Sequence, residues 1–458
     1  MTDFTSIDRY LQNNRQSQLD QLFELLRIAS ISADSSKKSE MTAAAKWVEA
    51  SLASGGLNTR LIHGDGPPLV YAETEPVPGK PIVLVYGHYD VQPADPLNLW
   101  NSPPFEPVIR DGNIYARGST DDKGQMLTHV QSVLAWHKSN EKLPLQVKFL
   151  IEGQEENGSD VLESKLAEIT DLIACDVIVI SDSSQYAKGQ PAITYGLRGI
   201  AYYEIRVHGP NADLHSGSFG GAVTNPGLAL ARILTEMKTP EGRIQLPHFY
   251  DSVVELSESE RQMWRDMNFS DEAMAKQLGV NSLTGETGYT TLERRWARPT
   301  LDVHGLMGGY QGEGGKTIIP SWTGAKISFR LVPNQDPKIV TEQLRTFLAE
   351  HTPPGVRVEL IDLHGGRGVM ANPNSKYMQA AMQAVEQGFN AKPVLIREGG
   401  SIPIVSKMVD VTNADVLLLG WGLDDDGAHS PNEKFCLEDY YRGIRASTRL
   451  WHFLSLVG

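Results

Sequence analysis

An α/β fold with a mostly parallel sheet flanked by helices, interrupted by an inserted α+β domain, is predicted by three features of the sequence. Between residues 68 and 181, short apolar runs alternate with amphipathic stretches, the signature of strands and helices laid down in turn. This style stops at Tyr195-Gly196-Leu197-Arg198-Gly199, beyond which strands alternate in polarity and helices follow in groups. It returns near Arg397, with the strand-like run Val416 to Leu419 and a last amphipathic stretch. The three expected pieces are therefore 1–197 and 397–458, together forming the catalytic domain, with 198–396 inserted between them.

Each element has its own signal. Leu19, Leu22, Leu25 and Leu26 recur at helical spacing and predict one amphipathic helix over 7–29. A second helix over 42–53 ends at Gly55-Gly56. Strands are expected over 68–73 and 81–87, the latter from the apolar run Pro81-Ile82-Val83-Leu84-Val85-Tyr86-Gly87. A helix over 123–138, a strand over 145–152, a helix near 160–170 and a strand over 177–181 complete the first part. In the insert, strands are expected over 200–208, 300–306, 324–332 and 356–363. Helices are expected there over 224–238, 257–267, 270–278, 336–350 and 374–389. A helix over 437–456 closes the chain. The glycine-rich stretch Gly308 to Gly315 reads as a hinge or substrate loop, because it lacks the lysine and hydroxyl that end a phosphate-binding loop.

Composition narrows the function. A chain of 458 residues can bury a large core, and 21% charged with 40% hydrophobic residues is ordinary for a globular protein. The net charge of −14 argues against general affinity for nucleic acid or an anionic membrane, so neither is expected as a partner. No apolar stretch approaches a membrane span, and no basic-then-apolar leader is visible at the N-terminus. The only cysteines, Cys175 and Cys436, lie beside apolar residues and are expected to be buried thiols, which fits a reducing, cytoplasmic location.

Ligands of such sheets gather beyond the carboxyl ends of the strands, and the ionisable residues collect there. His88-Tyr89-Asp90 ends the run 81–87, and Asp121-Asp122 precedes the 123–138 helix. Glu155-Glu156 follows the 145–152 strand, Asp182 closes 177–181, and His429 lies in the loop Asp424 to Ser430. Each alone has a plainer reading. Asp121 and Asp122 could cap a helix, an acidic pair is usually solvated, and so is a loop histidine. Jointly, two imidazoles and several carboxylates from different strand ends describe a hydrolytic metal site.

The segments Gly87-His88-Tyr89-Asp90-Val91-Gln92-Pro93, Ala116 to Gly124 and Glu152 to Ser159 resemble the M20 family of metallopeptidases. Further segments are similar to its dipeptidase branch, that of carnosinases and cytosolic nonspecific dipeptidases. They are Tyr195 to Gly199, Leu214-His215-Ser216-Gly217, Gly309 to Gly314, Ser328 to Pro333, Arg397 to Pro403 and His429-Ser430-Pro431-Asn432-Glu433. The resemblance implies a discontinuous catalytic domain, with the insert as lid and dimerisation domain. It implies two divalent cations per chain, one held by His88 and Asp182, the other by Glu156 and His429, with Asp121 bridging both. Zinc suits two imidazoles and three carboxylates, and manganese or cobalt could substitute. Glu155 would be the general base and Asp90 would orient the His88 ring. The Asp121–Asp122 peptide is expected to be cis. His215 would act across a homodimer interface on the partner's tetrahedral intermediate. Arg330 would pair with the terminal carboxylate of a small peptide substrate, while Thr317, Gly400 and Ser401 would supply weaker substrate contacts. The implied reaction is hydrolysis of dipeptides or short peptides with a free C-terminus. The alternative is a metal-dependent N-acyl or N-carbamoyl amino acid amidohydrolase of the same fold. His129 and His137 are expected to be structural or solvated.

Overall fold

Residues 4–457 are described by a computed structural model. The chain divides into two units: one holds the described residues up to Tyr195, Ala371–Ile396 and those from Lys407 on, and the other holds Gly196–Met370 and Arg397–Ser406. Residues 371–396, expected in the insert, thus cluster with the first unit. The reason is close packing of helix Lys376–Phe389 on helix Leu437–Ser455: a Cβ on Gly388 would stand 2.5 Å from the Ala446 Cβ.

The first unit is built on a mixed sheet. At its centre, Gln146–Glu152, Ile82–His88, Val177–Ile180 and Asp415–Gly420 run parallel in that spatial order. Crossover helices Lys123–Lys138 and Asp160–Ile173 make this possible, since parallel neighbours cannot be joined by a tight turn. Every residue of Gln146–Glu152 is buried, as for a strand covered on both faces. The flanks are antiparallel: Gly66–Glu73 and then Asn58–Gly64 on one side, Ala192–Leu197 on the other. The sheet is therefore parallel only at its core, with antiparallel strands on both flanks. The chain leaves Ile82–His88 first toward Gln146–Glu152 and then recrosses to Val177–Ile180. This reversal opens a crevice at the carboxyl end of Ile82–His88, where His88 sits.

The second unit carries a four-stranded antiparallel sheet in the order Thr300–Gly308, Trp322–Leu331, Gly199–His208, Arg357–Gly366. Its core joins Tyr203, Ile205, Ile327 and Phe329 to Ile233, Leu344 and Phe347 from helices Pro226–Glu236 and Pro337–His351.

Other departures have local causes. The helix expected over 7–29 is two, Thr5–Asn13 and Arg15–Leu26, because Asn14 leaves helical geometry and its Nδ2 donates to the Tyr10 carbonyl at 2.8 Å. Helices Thr291–Trp296 and Pro403–Thr412 had no periodic signal of sufficient length. Nor did the small sheet of Val108–Arg110, Asn113–Tyr115 and Lys434–Cys436. Cys175 and Cys436 are free, and each is only partly buried. No helix among the described residues is long and apolar enough to cross a membrane.

Candidate active site

Strand ends bring His88, Asp121, Glu155, Glu156, Asp182 and His429 into one neighbourhood within the first unit. His88 is the last residue of its strand and is fully buried. Its Nδ1 lies 3.1 Å from the Asp90 main-chain oxygen and 3.3 Å from Asp90 Oδ1. With a proton held there, Nε2 carries the lone pair. That Nε2 is buried without a hydrogen-bond partner and faces Asp121 Oδ1 at 3.3 Å and Asp182 Oδ2 at 3.9 Å. The second imidazole arrives on a loop. His429 adopts φ 62°, and its Nε2 stands 3.0 Å from Asp121 Oδ2 and 3.1 Å from Glu156 Oε2.

Two triads result, His88–Asp121–Asp182 and Asp121–Glu156–His429, each with ligand atoms within 4.8 Å of one another. Asp121 belongs to both, one oxygen to each imidazole. The Asp121–Asp122 peptide is cis. The residues present fit a divalent cation at each triad. An orphaned, buried imidazole nitrogen aimed at carboxylates is otherwise costly, and the donor set of nitrogen and oxygen suits such ions.

The electrostatics point the same way. Burial pushes Glu155 well above the ordinary carboxylate range, reinforced by Asp182, Glu156 and Asp121 and opposed by His88. Burial and Asp121 push Asp182 up to about 7. Burial also raises Asp122. Asp121 goes the other way: burial opposes its charge, but the imidazoles of His429 and His88 beside it hold it below the usual range. Hydrogen bonds to Asp121 and Glu156 raise His429 to about 10, and His88 is raised against its own burial by Asp121 and Asp90. Crowded carboxyl groups compete here for too little positive charge, a deficit that bound cations would make good.

Further contacts hold this cluster, some from residues that the sequence analysis did not single out. Gln92 Nε2 donates to Glu156 Oε2 at 2.9 Å, and Asp90 Oδ2 accepts from the Glu156 backbone N–H at 3.2 Å. Asp122 Oδ2 accepts from the His88 N–H at 3.3 Å. Buried Glu152 takes hydrogen bonds from Tyr86 and Ser159, and burial raises it to about 7. Glu433 and Arg117 form a buried ion pair at 2.7 Å. Gln92 and Glu433 stand within the sequence motifs, but no motif says which atoms they face. His129 is buried between Ser181 and Ser447 and is structural, while His137 is exposed.

The remaining candidates belong to the second unit. Arg330, on strand Trp322–Leu331, donates to Ser401 Oγ at 2.9 Å and has no ion-pair partner among the described residues. Burial lowers its pKa. His215 is exposed, and its Nδ1 accepts from the Ser218 N–H at 3.2 Å. This contact assigns the ring proton to Nε2 and makes Nε2 a donor. The Thr317 main-chain oxygen accepts from Ser216, and Gly400 is exposed with open space around its Cα.

Comparison with known proteins places the chain in a family. The profile of peptidase family M20/M25/M40 matches residues 84–452. The Cys-Gly metallodipeptidase DUG1 of Saccharomyces cerevisiae is 32% identical over 98% of this chain and 98% of its own. The structure of human carnosine dipeptidase 1 superimposes with a TM-score of 0.86 at 30% identity, covering 98% of both chains. That of the metallo-carboxypeptidase Sso-CP2 from Sulfolobus solfataricus also gives 0.86, at 32% identity over 96% of this chain and 99% of its own. With its sequence motifs, its fold and its paired imidazole–carboxylate triads all in agreement, the chain belongs to peptidase family M20/M25/M40 and is a metallopeptidase.

Proposed function

We propose that this enzyme is a two-cation dipeptidase that hydrolyses dipeptides and short peptides bearing a free C-terminal carboxylate. The observation that carries the reading is Asp121, shared by two triads that each end in an imidazole. Divalent cations bound there, zinc first and manganese or cobalt as substitutes, would polarise the scissile carbonyl and acidify water. Glu155 belongs to neither triad and is left to take a proton from the attacking water and pass it to the leaving amine. A base in a crowded acidic pocket has a raised proton affinity, which suits this shuttle. Asp90 keeps the His88 proton on Nδ1, so that Nε2 remains a ligand.

Substrate selection falls to the second unit. A half-buried guanidinium with no ion-pair partner among the described residues is suited to a carboxylate from outside, and Ser401 fixes one arm of its fork. Thr317 and Gly400 would add hydrogen bonds to the substrate backbone. His215 Nε2–H would stabilise the oxyanion in the partner subunit of a homodimer. Two free thiols fit a cytoplasmic location. Trimming of longer peptides from the C-terminus is the second reading, favoured by the likeness to Sso-CP2.

One hydrolysis panel tests this. A chelator should abolish turnover of dipeptides, and Zn²⁺ or Mn²⁺ should restore it. The restored enzyme should prefer free dipeptides over C-terminally amidated ones by about 100-fold, the worth of one charged hydrogen-bonded pair. Arg330→Ala should close most of that gap by slowing only the free peptides. Full activity after chelation, or faster turnover of N-acylated or N-carbamoylated amino acids, would contradict the reading.

A further inference from the structure

Glu433 is the most completely hydrogen-bonded carboxylate beside the metal triads. It is fully buried, and its two oxygens accept four donors from one loop. Oε2 accepts from Arg117 Nη1 at 2.7 Å and from the Gly118 N–H at 2.9 Å. Oε1 accepts from the Thr120 N–H at 2.9 Å and the Asp121 N–H at 3.2 Å. A carboxylate has about four lone-pair sites, so none is left over. All four partners are donors, and therefore only the ionised acid satisfies the loop.

The two ends of this clamp matter. The donors belong to residues 117–121, whose last member is the carboxylate shared by both triads. Glu433 itself stands four residues after His429, on the segment that supplies the second imidazole. Other contacts hold the same two stretches in register. Ala116 N–H donates to the Glu433 main-chain oxygen at 3.2 Å, and Thr120 Oγ1 donates to Asp426 Oδ2 at 3.2 Å. Strand Lys434–Cys436, which begins directly after Glu433, pairs with Asn113–Tyr115. Arg117 is anchored in turn, with Nη2 donating to the Pro93 carbonyl at 3.1 Å. Loop conformation alone would not fix where Asp121 meets His429. His429 and Asn432 both adopt left-handed backbone, and Gly118 has φ 84°.

We propose that Glu433 is a positioning residue that sets the separation of Asp121 and His429, and thereby the affinity of the Asp121–Glu156–His429 triad for its cation. The inference rests on the two-triad reading above. It assigns Glu433 no contact with substrate. Residues that hold metal ligands in place typically contribute 10- to 100-fold to affinity or activity.

The test is Glu433→Gln, with Glu433→Asp as a second variant that keeps the charge on a shorter stem. In Glu433→Gln one oxygen becomes an amide NH₂ pointed at two donors, so the loop must move. Zn²⁺ affinity is titrated against a competing chromophoric chelator, well below the melting temperature of each metal-free variant. At least one of two Zn²⁺ should bind about 10- to 100-fold more weakly in Glu433→Gln, and kcat at limiting Zn²⁺ should fall by a similar factor. KM should change less than about threefold, and millimolar Zn²⁺ should recover much of the lost kcat, because the ligands themselves remain. Glu433→Asp should lie between wild type and Glu433→Gln, and it carries the test if Glu433→Gln does not fold. Wild-type affinity and kcat in a folded variant, even one with a lowered melting temperature, would show a merely structural acid and overturn the proposal. If the wild-type protein itself bound no Zn²⁺, the two-triad reading would fall instead.

Discussion

Glu155→Gln should keep both cations and lose about 10³-fold in kcat, within the 10²- to 10⁴-fold that a positioned acid–base group contributes. The amide is nearly the same size, so the pocket should not collapse. Neither triad uses Glu155 as a ligand, so occupancy should survive. In the proposed mechanism the substitution removes the group that would receive the water proton and return it to the amine. About 10³-fold corresponds to about 4 kcal/mol of transition-state stabilisation. Its neighbour should fail in another way. Glu156 faces His429 Nε2 at 3.1 Å and is held by Gln92, so Glu156→Ala should lose one cation while the His88–Asp121–Asp182 triad keeps the other. Elemental analysis beside steady-state kinetics separates the two cases. Equal metal content in both variants would refute this division of labour.

His215→Ala should cost about 10²- to 10³-fold in kcat, the usual effect of deleting one oxyanion donor. The Ser218 N–H on Nδ1 leaves Nε2–H free to donate, as the proposed role requires. Its place in the site is tested by mixing. A His215→Ala protomer and a Glu155→Ala protomer are each nearly inactive. In a hybrid two-fold dimer with shared sites, one site carries both substitutions and the other carries none. Random exchange makes about half the dimers hybrid, so about a quarter of wild-type activity should return. If each His215 served its own chain, no site in the hybrid would be whole. No gain in rate under conditions shown to exchange subunits would rule out the shared site.

What the sequence made legible follows from how local each signal is. The strand Ile82–His88 announced itself as a continuous apolar run, and the helix at 123–138 matched its expected bounds, because burial on both faces leaves a dense signal. The same logic hid the edges. Asn58–Gly64 is mostly exposed and Lys434–Cys436 is three residues long, so neither has an apolar pattern to read. Assigning 371–396 to the insert failed because amphipathic periodicity shows that helix Lys376–Phe389 has a buried face without showing what it meets. The fit of Gly388 on Ala446 decides that. At the site, His88, Asp121, Asp182, Glu156 and His429 stood among the ionisable residues at strand ends, the family resemblance singled them out, and the structure brings them together. Gln92 and Glu433 were not singled out, since their contacts depend on which donors or acceptors they face across 64 and about 315 residues of chain.

The proposed mechanism requires two cations that share Asp121. Anomalous diffraction from crystals grown with Zn²⁺, recorded on both sides of the zinc edge, tests it most directly. The expected map has two peaks per chain, one among His88, Asp121 and Asp182, the other among Asp121, Glu156 and His429. A single peak in fully active crystals, or two peaks of which only one touches Asp121, would contradict it.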